Sequence, residues 1–229
     1  MKKYKVVLSV DTSVPSLSLA LLKDGRIFSQ KITTEIPQYS TKITPMVDNL
    51  LRKSGVDLSQ IEVVAVNVGP GSFIGLRVGL SFAKILSKTL NLKIFAVDKF
   101  FLCLSKFMSE KIDKIEEDNF HVYVVFPAVK TEVYLKEFEV KNKKIYAKDE
   151  RCVKISQINT LDREKVYFIG DTECLKDEVR IANTIKIPVS AKDILKLFVE
   201  QENFFKIGKF CKFLSPNSLS PLYVRHTYY

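Results

Sequence analysis

The stretch Ile61 to Leu86, IEVVAVNVGPGSFIGLRVGLSFAKIL, decides how the chain is read. It opens on β-branched and apolar residues, breaks at Gly69-Pro70-Gly71 and resumes at Ser72 with helical periodicity, so it reads as strand, tight turn and helix. Ser72 is placed to cap the helix N-terminus. With successive side chains about 100° apart, Arg77, Ser81, Lys84, Ser87 and Lys88 share one sector and the rest of the circumference is apolar or small. Such a helix must be covered on more than one side. Ile74, Val78, Phe82 and Ile85 form a bulky sector suited to a sheet. Gly75, Gly79 and Ala83 recur every fourth residue as a small-residue stripe beside it, with Leu76 and Leu80 at its edge. Each interior glycine costs about 1 kcal/mol relative to alanine. Two on one face therefore imply a close approach, either to a neighbouring helix of the same chain or to another molecule.

Upstream of this stretch, Tyr4 to Val10 is an apolar strand ending at Asp11-Thr12-Ser13. Leu17 to Leu22, a turn at Lys23 to Arg26, and Ile27 to Thr33 complete an antiparallel meander. Ile43, Met46, Val47, Leu50 and Leu51 fall at helical spacing, with Ser40 or Thr41 to cap the start and Gly55 to stop it. Pro45 fits that helix only near its first turn. Downstream, Leu92 to Val97 is a buried strand and Lys99 to Glu110 a helix. The polar run Ser109 to Asn119 marks a boundary, giving domains 1–110 and 111–229. In the second, Phe120 to Phe126, Glu132 to Val140, Lys144 to Lys148 and Val166 to Ile169 are strands. Ala191 to Leu214 is expected as a long, mostly helical end that packs back on the first domain, followed by an extended Pro221 to Arg225. The fold class is α/β, with two mixed sheets flanked by helices and built on a shared plan.

The chain has 229 residues, 46% of them hydrophobic, which suffices for ordered domains with real cores. Cys103, Cys152, Cys174 and Cys211 lie far apart with no C-x-x-C pair, which points to reduced structural thiols in a cytoplasmic protein. Lys2 and Lys3 precede an apolar run that Asp11 cuts short, unlike a secretion signal. The formal charge of +10 invites a nucleic-acid reading, but apart from Lys141, Lys143 and Lys144 the lysines are dispersed, as on a solvated surface.

Catalytic apparatus is sparse. Asp11 and Thr12 at a strand end, with Gly71 and Ser72 at a helix N-terminus, are the candidate anion or nucleotide site. The spacing matches neither a Walker A loop nor the dinucleotide fingerprint, and a structural elbow explains the glycines as well. With His121 and His226 the only histidines, no zinc pair forms. No triad or carboxylate pair stands out, so no catalytic residue, metal ligand or cofactor is assigned.

Several stretches together resemble one family: LSVDTSVPSLSLALLKDG at the start, ITPMVDNLL in the first helix, VGPGSFIGLRVGLSFAKIL in the centre, TEVYLKEFE in the second domain and PLYVR near the end. They look like TsaB (YeaZ), the non-catalytic subunit of the bacterial tRNA threonylcarbamoyladenosine machinery. The resemblance implies a two-lobed actin-like (ASKHA, RNase H-like) fold. It also implies a role as partner of the catalytic subunit TsaD, with the ATPase TsaE as third component, in transferring threonylcarbamoyl to N6 of adenosine-37 in tRNAs reading ANN codons. tRNA is then met through the complex, and a homodimer forms when TsaD is absent. The family's docking surface, carried onto this chain, comprises Met46, Leu50, Gly75, Leu76, Gly79, Leu80 and Ala83. Tyr39, Ile74 and Phe126-Pro127-Ala128 depart from the family pattern, each losing a polar group. Two other readings stay open: an independent actin-fold ATPase or kinase using Asp11 and Gly69 to Ser72, and an RNA-binding module using the basic surface and the tail Arg225 to Tyr229.

Overall fold

The computed structural model describes residues 4–14, 16–33, 38–111, 115, 117–142, 144–161, 165–175, 183–200 and 210–224. The chain divides into two units, Met1–Lys99 with Ser190–Leu222, and Phe100–Val189 with Tyr223–Tyr229.

In the first unit β1 (Val6–Val14), β2 (Ser16–Lys23) and β3 (Arg26–Thr33) form the expected meander. After α1 (Tyr39–Ser54), β4 (Val63–Asn67) lies parallel to β1; after α2 (Phe73–Leu90), β5 (Lys93–Val97) lies parallel to β4. Parallel neighbours need a crossover, and the two helices supply it. Alternation along β1 sorts the two sheet faces. Val6, Leu8 and Val10 join a core with Ile43, Met46 and Leu50 of α1 and Leu80 and Ala83 of α2. Val7 and Ser9 face the other way, so β1 is buried on both sides.

The second unit begins with most of α3 (Lys99–Lys111), followed by β6 (Asn119–Pro127), β7 (Glu132–Lys141), β8 (Lys144–Ala147), β9 (Arg151–Lys154), β10 (Val166–Gly170) and β11 (Thr184–Lys186). Its strand order β8-β7-β6-β10-β11 repeats the order β3-β2-β1-β4-β5 of the first, with β9 added against β7. The meander and the two parallel additions recur, so the shared plan and the mixed, helix-flanked α/β class hold in both units. The sequence boundary at 110 is corrected. Phe100 packs on Phe126 and Phe107 on Tyr167, with ring centroids 5.6 Å and 5.8 Å apart, so α3 belongs with the second sheet.

The chain then returns to the first unit. α4 (Ala191–Glu200) covers the face of the first sheet opposite α1 and α2: Ser9 Oγ donates to the Ala191 carbonyl at 2.6 Å, and Phe198 meets Phe95 edge-on at 5.1 Å. The expectation of a helical end through Leu214 is also corrected, because β12 (Cys211–Leu214) pairs antiparallel with β5. The intervening 201–209, with Phe204 and Phe205, lie outside the described residues, as do Lys143 and the tail Arg225 to Tyr229. Pro45 sits in the interior of α1, past the first turn. Thr41 and Pro45 are both exposed, so the Thr41 carbonyl that loses its helical donor faces solvent. Among the described residues no helix is long and apolar enough to cross a membrane.

Candidate docking surface

Thr12 near the end of β1 points at α2. Its Oγ1 donates to the Gly75 carbonyl at 2.7 Å, and the Ser72 N–H donates to the Ser13 carbonyl at 2.9 Å. Ser72 caps α2 as expected, its Oγ accepting from the Gly75 N–H at 3.2 Å. This seat explains the glycines. A Cβ on Gly75 would lie 2.0 Å from the Thr12 carbonyl oxygen, and one on Gly79 would lie 2.3 Å from Thr12 Oγ1. The close approach inferred from the small-residue stripe is real, but it is made to a strand of the same chain.

The partner residues expected from the resemblance need correction for that reason. Gly75, Leu76, Gly79, Leu80 and Ala83 are buried beneath α2, and Met46 and Leu50 beneath α1, so none of the seven offers a free surface. The two apolar sectors of α2 exchange roles. Ile74 and Ile85 are 66% and 65% exposed and Phe73 is 47% exposed, while Val78 and Phe82 are half-buried against the core. The Arg77 guanidinium lies 3.9 Å from the centre of the Phe73 ring, fixing that aromatic on the outer face. Of the nine large hydrophobic residues exposed among the described residues, three stand on this one helix, which concentrates apolar surface on a well-formed element. The signal in the sequence was the second apolar sector. A sheet buries only one side of a helix, and the side with glycines goes deepest.

The four residues of the candidate anion site do not converge. Asp11 shares the sheet face of Ser9 and Asn67, whereas Thr12 points to the opposite face and is committed to Gly75. Asp11 is fully buried. Its Oδ1 accepts from the Ser13 N–H at 3.0 Å and from Asn67 Nδ2 at 3.3 Å, and its Oδ2 has no partner among the described residues. Gly71 lies against Ser13, where a Cβ would meet the carbonyl at 2.1 Å, and the N–H groups of Ser72 and Gly75 are already engaged. The turn is thus tied to β1 and aims α2. Tyr39, on α1, donates its hydroxyl to the Val14 carbonyl at 2.9 Å; burial, then the nearby Asp11, raises its pKa.

A cross-strand cluster escaped the sequence reading. His121 Nδ1 is 3.1 Å from Glu137 Oε1, and Lys148 Nζ donates to the same oxygen at 2.7 Å. Pairing of β6 with β7 brings these distant positions together. Among the described residues no group of three His, Cys, Asp or Glu side chains is placed to hold a metal.

The comparisons with known proteins lead to tRNA threonylcarbamoyladenosine biosynthesis. The family model described as "TsaD: tRNA N6-adenosine threonylcarbamoyltransferase" matches residues 26–208. The tRNA threonylcarbamoyladenosine biosynthesis protein TsaB of Buchnera aphidicola subsp. Schizaphis graminum is 27% identical over 171 residues, covering 72% of this chain and 78% of that protein. TsaB of Escherichia coli K12 is 33% identical over 91 residues, 40% of this chain and 39% of that one. The solved structure of YeaZ from Pseudomonas aeruginosa superposes with a TM-score of 0.72 at 22% identity, covering 96% of this chain and 99% of that one, a likeness of fold. The tRNA N6-adenosine threonylcarbamoyltransferase of Phocaeicola vulgatus matches at 27% over 128 residues, but the aligned segment covers only 37% of that enzyme. This chain and the YeaZ structure cover each other almost end to end, and the chain belongs to the TsaB (YeaZ) family of tRNA threonylcarbamoyladenosine biosynthesis.

Proposed function

We propose that this chain is a non-catalytic subunit that docks, through the outer face of α2 flanked by α1, onto the threonylcarbamoyltransferase TsaD. In that role it supports threonylcarbamoylation of adenosine-37 in tRNAs reading ANN codons, with TsaE as third component and tRNA met through the assembled complex. The observation that carries the reading is the exposure of Phe73, Ile74 and Ile85 on an ordered helix whose other side is locked to β1. Burying such side chains is favourable by roughly 1.5–3 kcal/mol each, and a partner helix or sheet can accept all three together. The sparse catalytic apparatus and the occupied turn at Gly71-Ser72 support a scaffold in preference to an independent ATPase.

The test is the pair Ile74→Asp/Ile85→Asp. Both positions are exposed, so the melting curve of the isolated chain is expected to stay within a few degrees of wild type, while co-purification with TsaD and threonylcarbamoyladenosine formation in the reconstituted system are lost. Full retention of both would overturn the docking role. Gly79→Arg, the natural choice from the sequence, is the wrong probe because it disrupts the α2–β1 contact and hence the fold.

A further inference from the structure

A second patch of exposed side chains lies on the other face of the first sheet, away from α1 and α2. Ile94 and Ala96 of β5 and Leu214 of β12 pack toward those helices, so alternation sends Lys93, Phe95 and Phe213 to the face that α4 covers. Phe95 is 1% exposed and forms the floor. Phe198 of α4 stands edge-on to it, and Phe213 leans on it with ring centroids 5.4 Å apart. Tyr4 meets Phe198 and Phe213 at 6.0 Å and 5.8 Å. Because β12 is an edge strand, Phe213 is left 40% exposed, with Tyr4 and Phe198 half-buried beside it. All these pairs are tilted or edge-on, so no ring of the cluster lies flat on another.

Cations border the rings. Lys93 Nζ stands 5.6 Å from the centre of the Tyr4 ring and 5.9 Å from that of Phe213. Lys5, next to Tyr4, and Lys196, two residues before Phe198, are exposed as well. Among the described residues none of the three is ion-paired. Glu62 turns its carboxylate to the N–H groups of Lys5 and Val6, at 2.6 Å and 3.1 Å, and Glu200 is half-buried at the end of α4.

We infer that this patch is a contact surface for single-stranded RNA, such as a loop with unstacked bases. The inference goes beyond the docking role and stands apart from it, since α2 lies on the opposite face of the sheet. A protein partner that covered the rings would also strip water from unpaired ammonium groups, and lysine is depleted from protein interfaces for that reason. Phosphates answer those charges. Exposed aromatic rings on a basic surface give bases a stacking platform, and only a single strand or a loop has bases free to use it. The unit that carries the patch also holds the chain's excess of Lys and Arg, which favours the approach of a polyanion.

The test is fluorescence anisotropy of the full chain with a labelled single-stranded RNA of mixed sequence, and with the same strand annealed to its complement, across a salt series. The single strand is expected to bind with a log–log salt slope of about −2, as for two or three phosphates, and the duplex at least fivefold more weakly. Phe213→Leu keeps an apolar side chain over Phe95 and removes the ring. It is expected to lose about fivefold or more in affinity at every salt with the slope unchanged and to melt close to wild type, while Phe213→Tyr retains binding. Lys93→Gln/Lys196→Gln is expected to weaken binding and flatten the slope by about 1. Absence of RNA binding at the lowest salt would overturn the inference. So would equal affinity for the duplex, or binding that responds to the lysines and ignores Phe213→Leu, which is charge alone. A change in the sedimentation of the isolated chain on Phe213→Leu, with RNA binding untouched, would give the patch to a second copy instead. None of these measurements involves TsaD, so their failure leaves the docking role standing, and failure of docking leaves the RNA contact standing.

Discussion

Thr12 is the residue on which the position of α2 depends. Its carbonyl closes the space above Gly75 and its hydroxyl closes the space above Gly79, so the two glycines are unequal. Alanine at either position gains about 1 kcal/mol of helix propensity. At Gly75 the new methyl meets a backbone carbonyl at 2.0 Å, which only a shift of the helix relieves, and overpacking then dominates. Gly75→Ala is expected to destabilise by about 2–3 kcal/mol in urea unfolding. At Gly79 the obstacle is a side-chain oxygen, so Gly79→Ala is expected to be destabilising alone and substantially rescued by Thr12→Ala. A double-mutant cycle with a coupling of at least 1 kcal/mol checks this; an additive pair would show that Thr12 is not the obstacle. Cysteine chemistry belongs to the same scale. Burial, then the charge of Asp171, pushes the Cys174 thiol up to about 11, and burial with Asp98 pushes Cys211 higher still. Neither is expected to be alkylated by iodoacetamide at pH 8 in the native chain, which mass spectrometry reads directly.

At the scale of elements, the cluster on β6 and β7 gives the second unit an acid-sensitive contact. Burial alone raises the pKa of Glu137, but hydrogen bonds and charges from Lys148 and His121 outweigh it and hold the carboxyl below its ordinary 4.5. A carboxyl with a lowered folded pKa contributes stability that is present above its unfolded value and is lost as pH falls through the folded one. Glu137→Gln is therefore expected to melt lower than wild type at pH 7, and the gap is expected to close as the pH falls below the ordinary carboxyl range. A constant gap across pH would show that the effect is packing and not charge. The helix ends were largely legible in the sequence: Ser72 caps α2 and Gly55 closes α1 in the left-handed conformation at φ 61°. The start of α1 was not. Gln38 occupies the cap position without a side-chain cap bond, and Thr41 donates back to the Gln38 carbonyl. The cross-strand cluster was hidden for a different reason. Register places His121 opposite Glu139 and one pleat from Glu137, and register is set by pairing of segments sixteen residues apart.

At the scale of the whole molecule, two units of like strand order carry unlike charge: Met1–Lys99 with Ser190–Leu222 holds nineteen Lys and Arg against ten Asp and Glu, and Phe100–Val189 holds sixteen of each. Sequence patterning determined a good deal by itself. Alternation, turn residues and helical spacing specify the meander, the crossover helices and the repeated plan, because those features depend on contacts within or between adjacent elements. The stretch Ile61 to Leu86 announced a helix that needs cover on two sides, with glycines marking a close approach. Which side meets its own sheet and which is left exposed is a matter of tertiary structure alone. Thr12 stands sixty-three residues before Gly75, and only the parallel pairing of β1 with β4 brings its carbonyl over the glycines, buries the stripe and turns Ile74 and Ile85 outward.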